Sequence, residues 1–112
     1  MAKTSSAQLD SIFSALSNPT RRAILRQLAH GETTVGQLGL PFQLAASTMT
    51  KHLDVLEEAG LVERVRDGRH RRARLSPSPL WDGMDWLQGM RQLWTEQLDS
   101  LEQFLERERG SS

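Results

Sequence analysis

The feature that most constrains this chain is its punctuation. Polar caps and prolines open most of the apolar-periodic segments and glycines or prolines close them, so most segments are short and must pack on one another. Leu9, Ile12, Phe13 and Leu16 recur at helical spacing, and Ser5 three residues before Gln8 has the form of a capping box. This predicts a first helix ending near Ser17. Asn18 followed by Pro19 opens a second, because Asn caps free amides and Pro suits a position whose N–H has no helical acceptor. Ala23, Ile24 and Leu28 form its inward stripe, and it runs to about His30 before Gly31.

Thr34 to Gln37 repeats the capping pattern and opens a short third helix through Val35 and Leu38, which Gly39 and Pro41 end. After a tight turn, a fourth helix from about Ala46 carries Met49, Leu53 and Leu56 inward and stops at Gly60. Leu61 to Arg66 then reads as extended, Asp67-Gly68 is a two-residue hairpin signal, and Arg69 to Leu75 returns. Ser78-Pro79 restarts a helix by the same cap logic. Leu80, Met84, Leu87, Trp94, Leu98, Leu101 and Leu105 continue it at three- and four-residue steps.

That last helix, roughly 28 residues within about 79–108, would be about 42 Å long, too long for a domain this small to cover. Trp86, Met90, Leu93 and Phe104 widen its apolar face beyond one stripe, so one side can pack on the domain and another on a partner helix. A second copy of the chain is the simplest partner. The competing expectation is that Trp81, Trp86 and Trp94 complete the core of a monomer.

Charge is where composition enters. The chain has 112 residues, with 14 Lys+Arg against 14 Asp+Glu and no cysteine. Residues 1–81 hold 11 bases and 7 acids, and residues 82–112 hold 3 bases and 7 acids, so a net +4 and a net −4 cancel. Six arginines (Arg64, Arg66, Arg69, Arg71, Arg72, Arg74) and His70 crowd the hairpin with the single acid Asp67 among them. Such density is an electrostatic footprint for phosphates; the plain alternative is a solvated basic loop.

Lack of cysteine removes disulfides, thiol chemistry and thiolate metal sites. No apolar run approaches a membrane span, and Met1 to Ser6 is too short and polar for a secretory signal, so the expected location is cytoplasmic, with no membrane partner. Gly110, Ser111 and Ser112 read as a frayed tail.

Two short helices joined by a tight turn, followed directly by a hairpin, form a winged helix-turn-helix. The fold class is therefore mostly α with a small β-hairpin, in one domain over 1–112, with terminal helices forming a homodimer interface. A helix about 10–12 Å wide fits the major groove, and a two-stranded ribbon can reach the backbone beside it. The recognition helix is placed at about 46–59, with Ser47, Thr48, Thr50, Lys51 and His52 on or near the DNA surface. The wing is placed at about 61–75, with Arg66, Arg69, Arg71, Arg72 and Arg74 as phosphate contacts. The expected dimer interface takes Leu9 and Phe13 from the first helix and Trp86, Met90, Leu93, Trp94, Leu98, Leu101 and Leu105 from the last.

The strings "ALSNPTRRAIL" (15–25), "TVGQL" (34–38), "STMTKHLDVLEEAGLVERVRDGRHRRARL" (47–75) and "WLQGMRQLWTEQLDSLEQFL" (86–105) together resemble the ArsR-type winged-helix repressors of bacteria. The resemblance implies a homodimeric, operator-binding repressor whose fourth helix reads double-stranded DNA and whose terminal helices dimerise. Two positions depart from the pattern. Ala45 stands where the family commonly has a hydroxyl that caps the recognition helix, and many relatives carry a polar base-reading residue near Ala46. The metal sensing for which the family is known does not carry over, since its sites need cysteines or histidines on the last helix and no histidine follows His70. His30, at a helix end, reads as a cap or surface residue.

No cofactor or metal site is expected. An unknown small-molecule effector between the Trp-bearing helices is conceivable. The alternative from another class is a winged-helix protein-interaction module that never reads DNA, against which the arginine density argues. An enzyme is not expected: His52 and Asp54 point roughly 200° apart on their helix, and no Gly-rich phosphate loop, nucleophile elbow or metal-ligand pair is present.

Overall fold

In the computed structural model residues 5–110 are described; Met1 to Thr4, and Ser111 and Ser112 of the expected tail, lie outside the described residues. Among the described residues, five α-helices and three strands follow in the order α1 (Ser6–Leu16), α2 (Pro19–Leu28), β1 (Thr33–Thr34), α3 (Val35–Gly39), α4 (Ala46–Glu58), β2 (Val62–Asp67), β3 (His70–Leu75) and α5 (Ser78–Gly110). A 3₁₀ turn, Leu40–Phe42, joins α3 to α4. It ends at Gln43 in the left-handed region, φ 52°.

Three helices start where the caps predict. The Ser5 hydroxyl accepts from the Gln8 N–H, Asn18 Oδ1 accepts from both Thr20 and Arg21, and Thr34 accepts from Gln37. Each cap satisfies amides that a helix start leaves without acceptors. Helix α2 stops at Leu28, two residues short of His30. The N–H groups of His30 and Gly31 donate to carbonyls three residues back, which tightens the last turn, and Gly31 then turns the chain at φ 140°. Helix α5 begins at Ser78 itself, with the Pro77 carbonyl receiving the Leu80 and Trp81 N–H groups, so Ser78 is a helical residue and not the cap.

The core lies where α1, α2, α3 and α4 converge on the sheet. Ile24, Leu28, Leu38, Met49, Leu53 and Leu56 are fully buried or nearly so, and no polar or charged residue is buried among the described residues. Burying large aliphatic side chains stabilises by about 1.5–3 kcal/mol each, so these six hold α4 firmly against the rest.

The wing differs from the expected hairpin in two ways. It belongs to a three-stranded antiparallel sheet of order β1-β3-β2, because Thr33 and Thr34 pair with Ala73 and Arg72. A two-residue strand leaves no hydrophobic alternation to read in a sequence. The turn is also one residue later than expected: Asp67 pairs with His70, so Gly68 and Arg69 are its central residues. Gly68 has φ 61° at the first central position, the place where a II′ hairpin turn needs glycine.

Helix α5 has 33 residues and would span about 50 Å. Only its first turns are packed, and they lie on α1. A Cβ at Gly83 would sit 3.4 Å from Ile12 Cγ2, and the Trp86 ring meets Phe13 edge-on at 5.8 Å and 67°. The remainder projects away from the head, giving a longest extent of 77 Å and a radius of gyration of 20.4 Å. A compact domain of this length would have a radius near 13 Å.

Candidate nucleic-acid interface

Helix α4 is amphipathic, and its burial sorts the expected recognition residues. Ser47, Thr48 and Lys51 are exposed, with Ser47 and Lys51 opposite the buried stripe of Met49, Leu53 and Leu56; Thr50 and His52 are half-buried on the two flanks. The helix start has no side-chain cap. Ala45 is extended, φ −60° and ψ 148°, and its carbonyl accepts from Met49, but it offers no oxygen to the first-turn amides. These amides and the positive end of the helix dipole stand beside the exposed Ser47, Thr48 and Lys51. The acids of α4, Asp54, Glu57 and Glu58, all lie in its C-terminal half.

The flank carrying His52 faces α2. Burial pushes the His52 imidazole below its usual pKa, and the nearby Arg21 guanidinium pushes it further the same way. Arg21 is held in place by donating to the Ser14 and Ala15 carbonyls at the end of α1, each at 2.9 Å.

The opposite flank faces the wing. Asp54 and Glu57, one turn apart, both receive Arg64 from β2: Nη2 to Asp54 at 2.5 Å and Nε to Glu57 at 2.6 Å. Hydrogen bonding to Glu57 is the main cause that raises the Arg64 pKa.

Strand register places the remaining arginines. Directly opposed residues of an antiparallel pair share a face, so Val62 with Leu75, Arg64 with Ala73, and Arg66 with Arg71 line the face that meets α4. Glu63 with Arg74, Val65 with Arg72, and Asp67 with His70 line the other. The five wing arginines therefore divide. Arg72 pairs with Glu32 at 3.2 Å and Arg74 with Glu63 at 2.8 Å. Arg66, Arg69 and Arg71 are exposed, and no side-chain hydrogen bond or ion pair ties their guanidinium groups among the described residues. Sequence reasoning gives Arg64 no role apart from its cationic run. The signal that could have set it apart is the pair of acids spaced one helical turn apart before the Gly60 stop, Asp54 and Glu57.

Residues 16–65 match a helix-turn-helix domain family. The transcriptional repressor SdpR of Bacillus subtilis (strain 168) is 30% identical over 79 residues, 70% of this chain and 88% of that protein. A crystal structure of an ArsR family transcriptional regulator superposes with a TM-score of 0.78 at 37% identity, covering 85% of this chain and 97% of that one. The chain belongs to the ArsR family of transcriptional regulators. A further solved structure, of a homodimeric winged helix-turn-helix DNA-binding domain from Mycobacterium bovis described as a possible ArsR-family regulator, is 26% identical with a TM-score of 0.61. It covers 89% of this chain and 95% of that one.

A second surface of this ArsR chain lies on α5. Trp86 is tied to Phe13 within the chain, and Leu9, Phe13 and Met90 are half-buried. Leu93, Trp94, Leu98, Leu101 and Leu105 are all exposed, as are Trp81 and Phe104. The tryptophans therefore do not complete a monomer core. A groove at the α1–α5 junction, lined by Leu9, Phe13, Trp86 and Leu87 with Ser6 and Asp10 at its edge, continues this surface onto α1. Among the described residues, no three His, Cys, Asp or Glu side chains are grouped to hold a metal ion, and no helix is long and apolar enough to cross a membrane.

Proposed function

We propose that the chain is a homodimeric transcriptional repressor, without catalytic activity, that binds double-stranded operator DNA in the cytoplasm through α4 and the β2–β3 wing. The observation that carries this reading is the direct opposition of Arg66 and Arg71 at the outer end of the wing, on its α4-facing side. Like charges opposed across two strands destabilise the pair. No acid within the described residues neutralises them, whereas DNA phosphates would. On α4 the same polarity holds: hydroxyls and Lys51 at the N-terminal end suit a phosphate-lined groove, and the acids lie at the far end.

Ser47, Thr48 and Lys51 take the leading role at the groove, with Thr50 and His52 at its margins. Arg66, Arg69 and Arg71 are the wing's phosphate contacts, and Arg72 and Arg74 contribute less because each already has a carboxylate partner. The apolar stripe of α5, left exposed by the chain's own packing, is covered by the α5 and α1 of a second copy, an arrangement supported by the homodimeric Mycobacterium bovis structure. Two-fold symmetry then sets two α4 helices about 34–36 Å apart, one turn of duplex.

Replacing Arg66, Arg69 and Arg71 together with Ala tests the wing. The expected outcome is weaker binding to duplex of any sequence and a shallower dependence on salt, by about 0.9 in log–log slope for each phosphate no longer neutralised. Fluorescence anisotropy across a salt series measures both, and an unchanged slope would remove the wing from the DNA-binding surface.

A further inference from the structure

We propose that Arg64 is a positioning residue for DNA binding: it clasps the wing to α4 and so sets where the phosphate-binding arginines stand, without itself touching DNA. The inference rests on the DNA-binding reading above. By sequence Arg64 is one of six arginines in a single cationic run, yet its surroundings differ from those of the other five. Its side chain is only 15% exposed, and its guanidinium is shared by Asp54 and Glu57. A planar fork of donors between two carboxylates fixes direction as well as distance.

The position of the clasp gives it leverage. A two-stranded hairpin is marginal alone, and the third strand β1 pairs only with Ala73 and Arg72 of β3, leaving β2 as a free edge. On the face toward α4, Arg64 is the outermost residue of β2 with a bond to the head among the described residues. Arg66, opposite Arg71, follows two residues later on the same face, about 7 Å further out. On the other face Arg72 bonds Glu32, so the sheet is held from both sides, and the two ties together define its tilt. Arg64 also offsets one of two negative charges that Asp54 and Glu57 would otherwise present beside the wing.

The competing account is that Arg64 is one more cation for phosphate, held in reserve by the acids. The two accounts differ in sign. Removing both acids strips two negative charges and frees Arg64, so the reserve account expects tighter binding and a steeper salt slope. The clasp account expects a wing that has lost its tilt, with weaker binding and a shallower slope.

The test uses the full chain, its R64Q variant and its D54A/E57A double variant, each checked for helicity by circular dichroism; Ala keeps the helix propensity of α4 high. The probe is a duplex of about 30 base pairs selected by the unaltered protein from a random-sequence pool, long enough for two half-sites. Both variants are expected to bind about tenfold more weakly with a reduced slope. Equal or tighter binding by D54A/E57A overturns the proposal.

A second readout needs no DNA. Because the chain has no cysteine, spin labels can be placed singly by Asp67→Cys at the wing and Gln27→Cys on α2. R64Q is expected to broaden the distance distribution between them, and an unchanged distribution overturns the clasp. Failure of the unaltered protein to bind duplex at low salt would instead remove the DNA-binding reading, while the label distances would still judge whether Arg64 holds the wing.

Discussion

Helices α4 and α5 carry apolar residues at the same three- and four-residue steps, and the chain treats them in opposite ways. Met49, Leu53 and Leu56 of α4 are at most 1% exposed, whereas Leu87, Trp94, Leu98, Leu101 and Leu105 of α5 are 44–65% exposed. Spacing determines that a helix has a face to bury, but not which surface covers it. For α4 the covering surface is α1, α2 and the sheet of the same chain. For the distal part of α5 no covering surface exists within the described residues, which is why a second copy is proposed to cover it.

The sharpest way to break this comparison is to alter each helix's apolar face in turn. Trp94→Asp is expected to weaken self-association by at least about 100-fold, because each large side chain buried contributes about 1.5–3 kcal/mol and two-fold symmetry counts the change twice. Sedimentation equilibrium reads this directly, and the unfolding of the head should be little altered. A dimer of unchanged affinity would mean that the α5 stripe is not the contact between copies. A loss of a different kind is expected in α4. Leu53→Ala leaves a cavity in a fully buried site and should cost about 2–5 kcal/mol in urea unfolding. Under dilute conditions that favour the monomer the same loss should persist, since the partners of Leu53 belong to its own chain.

The contrast also explains what could be read in advance. Helix starts were legible because their signals are local: Ser5, Asn18 and Thr34 each cap amides two or three residues away. The inward stripe of α4 was legible because one face is buried by many neighbours at once. The turn falls at Gly68-Arg69, one residue beyond the Asp67-Gly68 signal, because both pairs put the glycine in a two-residue loop and only strand register decides between them. Strand β1 was illegible, since two residues that pair with a strand far along the chain leave no pattern of their own. Within the candidate site, the cationic run was visible but its division was not. Whether an arginine is free or held depends on carboxylates brought in by folding, as Glu32 is to Arg72 and Asp54 and Glu57 are to Arg64.

The two flanks of α4 sharpen the same lesson at a smaller scale. On one flank an arginine meets carboxylates; on the other, Arg21 stands near a partly buried imidazole, so the native structure disfavours a protonated His52. An unfolded chain lets that imidazole titrate near 6.5, above its folded value. As pH falls from about 7 through 6.5, the unfolded state therefore takes up a proton that the folded state resists, and stability declines. Below the folded pKa both states are protonated and this contribution stops growing. His52→Gln, which cannot titrate, should flatten that part of the stability profile between about pH 7 and pH 5. Thermal unfolding of the two proteins in parallel across this range measures the difference, and coincident profiles would show that the Arg21 flank of α4 is electrostatically silent.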